Sequence, residues 1–183
     1  MKQFNVLTFE LQSAEFVGHQ FADEPSSRRA AEASRLEIVI DGRSLPSWWQ
    51  DWERAPMPPS EITGLAPSTV ERGLDQLRQL QGPSPDHAPL RAELYYCPAC
   101  FDVTCGILTV ELARTSTAVT WRAFGWKTPE QDGAPDALIE TATPFVFEPA
   151  AYDAALEGAR AHLPLPRSGP LRRWHQLGRP PKA

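Results

Sequence analysis

The sequence predicts a single α+β domain, with a mostly antiparallel sheet and two or three packing helices. Its length of 183 residues suits one substantial hydrophobic core. Hydrophobic residues make up 42% and charged residues 22%, a balance typical of a globular domain. Short apolar runs that alternate with polar residues predict strands, and three stretches with spacing of three to four predict helices. We expect the domain to span 1–166 and the basic C-terminal tail to span 167–183.

Six short runs carry the strand pattern, because apolar and polar residues alternate in them or aromatic and β-branched residues cluster. They lie at 4–11, 36–40, 94–96, 106–114, 118–125 and 144–147. The turn dipeptide Asp41-Gly42 closes the second run and predicts a tight turn there. The short connection 115–117 predicts a hairpin whose second strand turns Val119, Trp121 and Ala123 the same way.

Helical spacing appears three times. Ser47 is the predicted N-cap of a first helix that carries Trp48, Trp49 and Trp52 and ends before Pro56.

A second helix is predicted to follow Ser68, with Glu71 completing a capping box and Gly82-Pro83 ending the helix. The spacing of Tyr152, Leu156, Ala159 and Leu163 predicts the last helix. The proline-rich segment 83–89 predicts a loop between the second helix and the following strand.

Charge is distributed unevenly along the chain. Residues 167–183 hold five basic residues and no acidic one, so that 13 basic and 23 acidic residues precede them, a net charge of −10. An acidic body repels phosphate backbones and argues against nucleic acid as a partner. The N-terminal residues lack a signal-peptide apolar block, and no apolar run reaches the length of a membrane span. We therefore expect a cytoplasmic protein.

Three thiols, Cys97, Cys100 and Cys105, lie within nine residues. An odd number packed so closely predicts no disulfide framework. Two cysteines separated by two residues can bind one tetrahedral zinc ion, which makes the trio a candidate metal site that lacks an identified fourth ligand. A redox or nucleophilic thiol is a second interpretation. Buried core cysteines are the third, and the sequence leaves all three open.

Several segments together resemble a family of uncharacterised bacterial proteins, common in actinobacteria. The shared features are Ile40-Asp41-Gly42-Arg43, the CxxC turn followed by Cys105-Gly106, the strand 119–124, and Phe145-Val146-Phe147-Glu148 before the last helix. The resemblance covers about residues 36–163 and implies a shared architecture. Some members are labelled oxidoreductases without a nucleotide-binding motif, so the resemblance implies no activity.

Trp48, Trp49 and Trp52 are the candidate partner-binding residues. Three tryptophans on about one helical turn cannot all point inward, and an exposed tryptophan favours binding. The sequence contains no P-loop, GxGxxG, GxSxG or HExxH motif. The first hypothesis is therefore a non-catalytic interaction protein, of the adaptor or immunity-protein kind, that binds a basic partner protein. A small zinc-binding module and a thiol-dependent enzyme are the alternatives.

Overall fold

The computed structural model describes residues 3–13, 34–54, 70–85, 87–96, 107–127 and 137–163. Within these residues, two antiparallel sheets and three helices confirm the predicted α+β class. The elements are β1 (Leu7–Ser13), β2 (Ser34–Ile40), β3 (Arg43–Ser44), α1 (Leu45–Glu53), α2 (Val70–Gln81), β4 (Leu90–Tyr96), β5 (Ile107–Arg114), β6 (Val119–Lys127), β7 (Ala137–Leu138), β8 (Phe145–Phe147) and α3 (Pro149–His162).

The smaller sheet has the order β1-β2-β3, with β2 in the middle. Leu36, Ile38 and Ile40 of β2 are buried in the core. The two-residue turn Asp41-Gly42 joins β2 to β3, and both residues have positive φ, 54° and 75°. This conformation matches the right-handed twist of a hairpin and confirms the turn that the sequence predicts.

The larger sheet has the order β4-β5-β6, and β7 and β8 both pair with β6. Asn5 connects this sheet to the smaller one. Its backbone N–H donates to the Val146 carbonyl at 2.7 Å, and its side-chain oxygen accepts from the Val146 N–H at 2.7 Å. Its side-chain nitrogen donates to Asp41 at 2.7 Å. One asparagine therefore hydrogen-bonds to both β8 and the turn that joins β2 to β3.

Helix α2 covers the outer edge of β4. The side-chain oxygen of Gln79 accepts from the Glu93 N–H at 2.9 Å, and the Gln76 side chain donates to the Leu94 carbonyl at 3.2 Å. An uncovered edge strand is a template for pairing with another chain. The two glutamines satisfy β4 backbone groups on this edge and remove that risk.

A buried tyrosine connects both long helices to the sheet. The Tyr152 hydroxyl of α3 donates to the Leu80 carbonyl of α2 at 2.6 Å and accepts from the Trp121 indole of β6 at 3.1 Å. Beside it, Arg114 donates to both oxygens of Asp153, at 2.9 and 2.5 Å. The hydrogen bond that Arg114 donates to Asp153 raises the pKa of Arg114, and burial raises the pKa of Tyr152 far above its ordinary value.

Strand β6 contains a bulge that the sequence pattern does not predict. Thr109 pairs with Gly125 and Glu111 with Arg122, so one residue of β5 faces two of β6. Ala123 has a φ of 49°, and Arg91 donates to its carbonyl at 2.6 Å. Burial lowers the pKa of Arg91, while the nearby Glu111 carboxylate opposes that shift.

The bulge overturns one predicted orientation. Ala123 does not follow Val119 and Trp121 into the core, and the prediction is wrong there because the extra residue rotates the strand. Phe124 takes the inward position and is fully buried. Leu108, Val110 and Leu112 of β5 lie in the core, as their alternation predicts.

Two element starts also differ from the prediction. β1 begins at Leu7, which is buried, and Val6 before it is 61% exposed. α1 begins at Leu45 after Ser44, so the prediction of Ser47 as N-cap is wrong. Pro46 has the φ of a first helical turn, and burying Leu45 fixes the earlier start.

The predicted capping box cannot be compared with the structure, since Ser68 lies outside the described residues. α2 is described from Val70. The last helix agrees with the prediction, because Tyr152, Leu156, Ala159 and Leu163 are all buried.

The Tyr152→Phe variant tests the buried hydroxyl. At pH 7 we expect a loss of about 1–3 kcal/mol in the free energy of unfolding, because a buried carbonyl and indole lose their partner. Folded Tyr152 keeps its proton above pH 10, while the unfolded chain releases it, so this group makes stability fall as pH rises above about 10. Urea unfolding at pH 7 measures the first effect, and urea unfolding of both proteins at pH 9–11 measures the second. If the free energy of unfolding changes with pH equally in the wild-type protein and in the variant, Tyr152 is not a buried, neutral phenol.

The Ala123→Gly variant tests the strained bulge. Glycine adopts positive φ without a Cβ clash, so we expect the free energy of unfolding to rise by about 0.5–1 kcal/mol. Ala113→Gly, in the regular part of β5, is the matched control, and its free energy of unfolding should fall by about 0.5–1 kcal/mol. Thermal or urea unfolding measures both. Destabilisation of equal size in the two variants would show that Ala123 carries no strain.

Candidate functional site

Helix α1 carries the three tryptophans predicted from the sequence to bind a partner, and they differ in solvent exposure. Trp52 is buried, with 7% of its surface exposed, while Trp48 and Trp49 are half-buried. Residues three and four apart are neighbours on a helix, so Trp48 and Trp49 flank Trp52 on its two sides. The helix ends at Arg54, whose φ of 53° is left-handed. Trp52 is therefore a core residue, and the other two border the surface.

Trp48 and Trp52 join an aromatic cluster under α1. The ring centroids of Trp52 and Phe124 are 4.9 Å apart, and those of Trp48 and Phe145 are 5.2 Å apart. The Trp48 indole N–H donates to the Ile40 carbonyl at 3.2 Å. This packing fixes the orientation of α1 against both sheets.

One guanidinium group lies on the Trp48 side of α1. The Arg43 guanidinium carbon is 4.2 Å from the centroid of the Trp48 ring. Its Nη2 is 2.7 Å from a carboxylate oxygen of Asp51 and 3.0 Å from the Ser47 carbonyl. A cation–π contact, an ion pair and a hydrogen bond thus hold one arginine of β3 on the helix.

The Trp49 side carries a second aromatic pair. Trp49 and Trp126 of β6 form an edge-to-face pair with ring centroids 6.0 Å apart. Both side chains are half-buried, and in the described part of the chain neither indole N–H makes a hydrogen bond. Unbonded indole groups at a surface can bind a ligand acceptor. We call one set of side chains the α1 surface: Trp48, Trp49, Gln50, Asp51 and Glu53 of α1, together with Trp126 of β6.

Sequence reasoning missed Trp126 as part of this surface. In a regular strand, residues five apart point to opposite faces, so Trp121 and Trp126 would be separated by the sheet. The bulge at Ala123 inserts one residue and lets Trp126 face α1. No local signal in the sequence marks that bulge, since alanine is not a typical positive-φ residue.

The α1 surface carries two carboxylates, Asp51, which is paired with Arg43, and Glu53. Gln50, Asp51 and Glu53 are exposed, and so is Glu140, next to Thr141, which donates to the Trp52 carbonyl at 2.8 Å. Along the chain, the connections 55–69 and 128–136 follow α1 and β6, and the connection 97–106 joins β4 to β5. They contain no lysine or arginine, and their acidic residues are Glu61, Asp102, Glu130, Asp132 and Asp136. The basic residues that directly follow Glu53 and Trp126 in the sequence are Arg54 and Lys127.

The cysteine trio lies outside the described residues. The strands on either side are described, and their register pairs Tyr96 with Ile107. The segment 97–106, which carries the thiols, therefore begins and ends at one position of the β4–β5 ladder. Within the described ranges, no three histidine, cysteine, aspartate or glutamate side chains are grouped to hold a metal ion. The zinc interpretation stays a prediction.

A shallow cleft between α2 and α3 is too small for an organic ligand. Its volume is about 30 Å³, which holds one or two water molecules. Its lining residues are Leu74, Leu77, Arg78, Gln81, Leu156, Glu157 and Arg160. The α1 surface is therefore the better candidate site.

Comparison of the chain with protein-family models, with curated proteins and with solved structures finds no match. Among the helices that the structure describes, none has the length and apolar character needed to cross a membrane.

Proposed function

We propose that this protein is a non-catalytic interaction protein, of the adaptor or inhibitor kind, that binds a basic partner protein through the α1 surface. The observation that carries the proposal is the half-buried Trp49–Trp126 pair, whose indole N–H groups make no hydrogen bond to any residue that the structure describes. Tryptophan is enriched at the centres of protein interfaces because it supplies a large contact area together with one hydrogen-bond donor.

Charge supports a basic partner. Exposed carboxylates lie on α1 itself, and the adjoining connections add acidic residues without basic ones. Complementary charge accelerates association and excludes partners of like charge. The immunity-like role that the sequence suggests requires such a surface, since an inhibitor of a basic protein binds best when its own interface is acidic.

Affinity capture with a charge-reversal variant tests the proposal. The wild-type chain, immobilised at physiological salt, should retain one basic protein stoichiometrically from a lysate of its source cells. Glu53→Lys should reduce that retention at least tenfold, because it places a cation against a basic partner. Trp49→Ala should do the same by removing contact area. Quantitative mass spectrometry of the eluates measures the retention.

Two matched variants serve as controls. Glu157→Lys reverses an exposed carboxylate on α3, and Leu11→Ala shortens a side chain of β1 that is 57% exposed. Both should leave capture unchanged. If no stoichiometric partner is retained, or if Glu53→Lys and Glu157→Lys weaken capture equally, the α1 surface is not the interface.

A zinc-binding module built on Cys97, Cys100 and Cys105 is the second candidate. The observation in its favour is the pairing of Tyr96 with Ile107, which confines all three thiols to one ten-residue connection of a hairpin. Thiolates so close in sequence can bind a common tetrahedral ion, with a fourth ligand from elsewhere. The thiol-dependent enzyme rests on the same residues and stays a prediction.

Native mass spectrometry with elemental analysis tests the zinc candidate. A bound ion adds one zinc mass per chain, and a chelator or the Cys100→Ser variant should remove it. Cysteine-to-serine exchange loses the thiolate that zinc prefers and keeps the side-chain size. A chain mass without metal, in protein purified with zinc present, would reject this candidate and leave the interaction proposal intact.

A further inference from the structure

Helix α1 already shows how it binds a guanidinium group. Arg43 lies over the Trp48 ring at 4.2 Å and contacts Asp51, three residues further along the same helix, at 2.7 Å. The aromatic face attracts the cation, and the carboxylate neutralises it. Both groups, and the Ser47 carbonyl that also accepts from Arg43, come from α1.

The other side of α1 also carries a tryptophan ring and a carboxylate, but no cation of the described residues contacts them. Trp49 and Glu53 are four residues apart, so their side chains are neighbours on the helix surface. Glu53 is exposed, and in the part of the chain that the structure describes it forms no ion pair. Trp126 adds a second ring, 6.0 Å from Trp49. No lysine or arginine of the described residues lies over either ring.

The surroundings favour a cation that comes from another molecule. The connections 55–69 and 128–136, which begin within two residues of α1 and Trp126, hold four acidic residues and no basic residue. On this side of α1 a cationic ligand therefore meets the exposed Glu53 carboxylate as well as an aromatic face.

We propose that Trp49, Trp126 and Glu53 form a second guanidinium site, which receives an arginine side chain of the partner protein. This inference rests on the proposed function and specifies the chemistry of the partner. Arginine fits better than lysine because its planar group stacks on an indole ring and can donate two hydrogen bonds to one carboxylate. The site binds the partner's arginine as α1 binds Arg43.

Indole N–H signals in two-dimensional ¹H–¹⁵N NMR of the full chain test the site. The six tryptophans give separate probes, and Trp49→Phe and Trp126→Phe assign the two signals of interest. Titration with the capped peptide acetyl-Gly-Arg-Gly-Arg-Gly-amide should shift the Trp49 and Trp126 signals with saturation and leave the Trp121 signal unmoved. The same peptide with citrulline, which has arginine's shape without its charge, should produce no shift.

A matched pair of variants identifies the carboxylate. Glu53→Gln keeps the side-chain size and should weaken peptide binding about fivefold, the effect of losing an exposed ion pair. Glu157→Gln, on α3, should leave binding unchanged. Equal binding by arginine and citrulline peptides, equal shifts of all six signals, or undiminished binding by Glu53→Gln would each overturn the proposal.

The chain's own basic residues are the competing occupant. If Arg172→Gln with Arg173→Gln shifts the Trp49 and Trp126 signals of the free protein and strengthens peptide binding, the site belongs to the C-terminal segment and the partner assignment is wrong. If capture from lysate depends on Glu53 while the arginine peptide does not bind, this inference fails and the proposed function stands.

Discussion

The Tyr152 hydroxyl is the contact on which the arrangement of helices and sheet depends. It accepts from Trp121 and donates to the Leu80 carbonyl, so one buried oxygen joins β6, α2 and α3. Its burial is tolerated because both hydrogen-bonding functions are satisfied inside the protein. With α2 fixed in this way, Gln76 and Gln79 reach the edge of β4 and cover its backbone groups.

Aromatic packing extends from that contact to the α1 surface. Trp121 contacts Tyr152 and Phe124, and Phe124 contacts Trp52 of α1. Each step is a ring pair with centroids between 4.9 and 6.5 Å. A short helix such as α1 is not stable alone, so its position is set by the rings beneath it. The core therefore determines where Trp48, Trp49 and the α1 carboxylates meet solvent.

The α1 surface differs on its two sides although both have similar residues. On one side Arg43, two residues before the helix, satisfies the aromatic and acidic groups within the chain. On the other side the second ring comes from β6, more than seventy residues later, and no described lysine or arginine lies over either ring. A nearby intramolecular arginine costs little entropy to order, which explains why the first pair is filled from within the chain.

The sequence by itself determined the α+β class, the Asp41-Gly42 turn, the apolar face of β5 and the buried face of α3, because each depends on local periodicity or turn chemistry. Only the tertiary structure decided which tryptophan of α1 is buried, how Ala123 rotates β6, and that Trp126 meets Trp49. Those outcomes depend on contacts between residues far apart in the chain, and a single extra residue in a strand reverses the faces that alternation predicts.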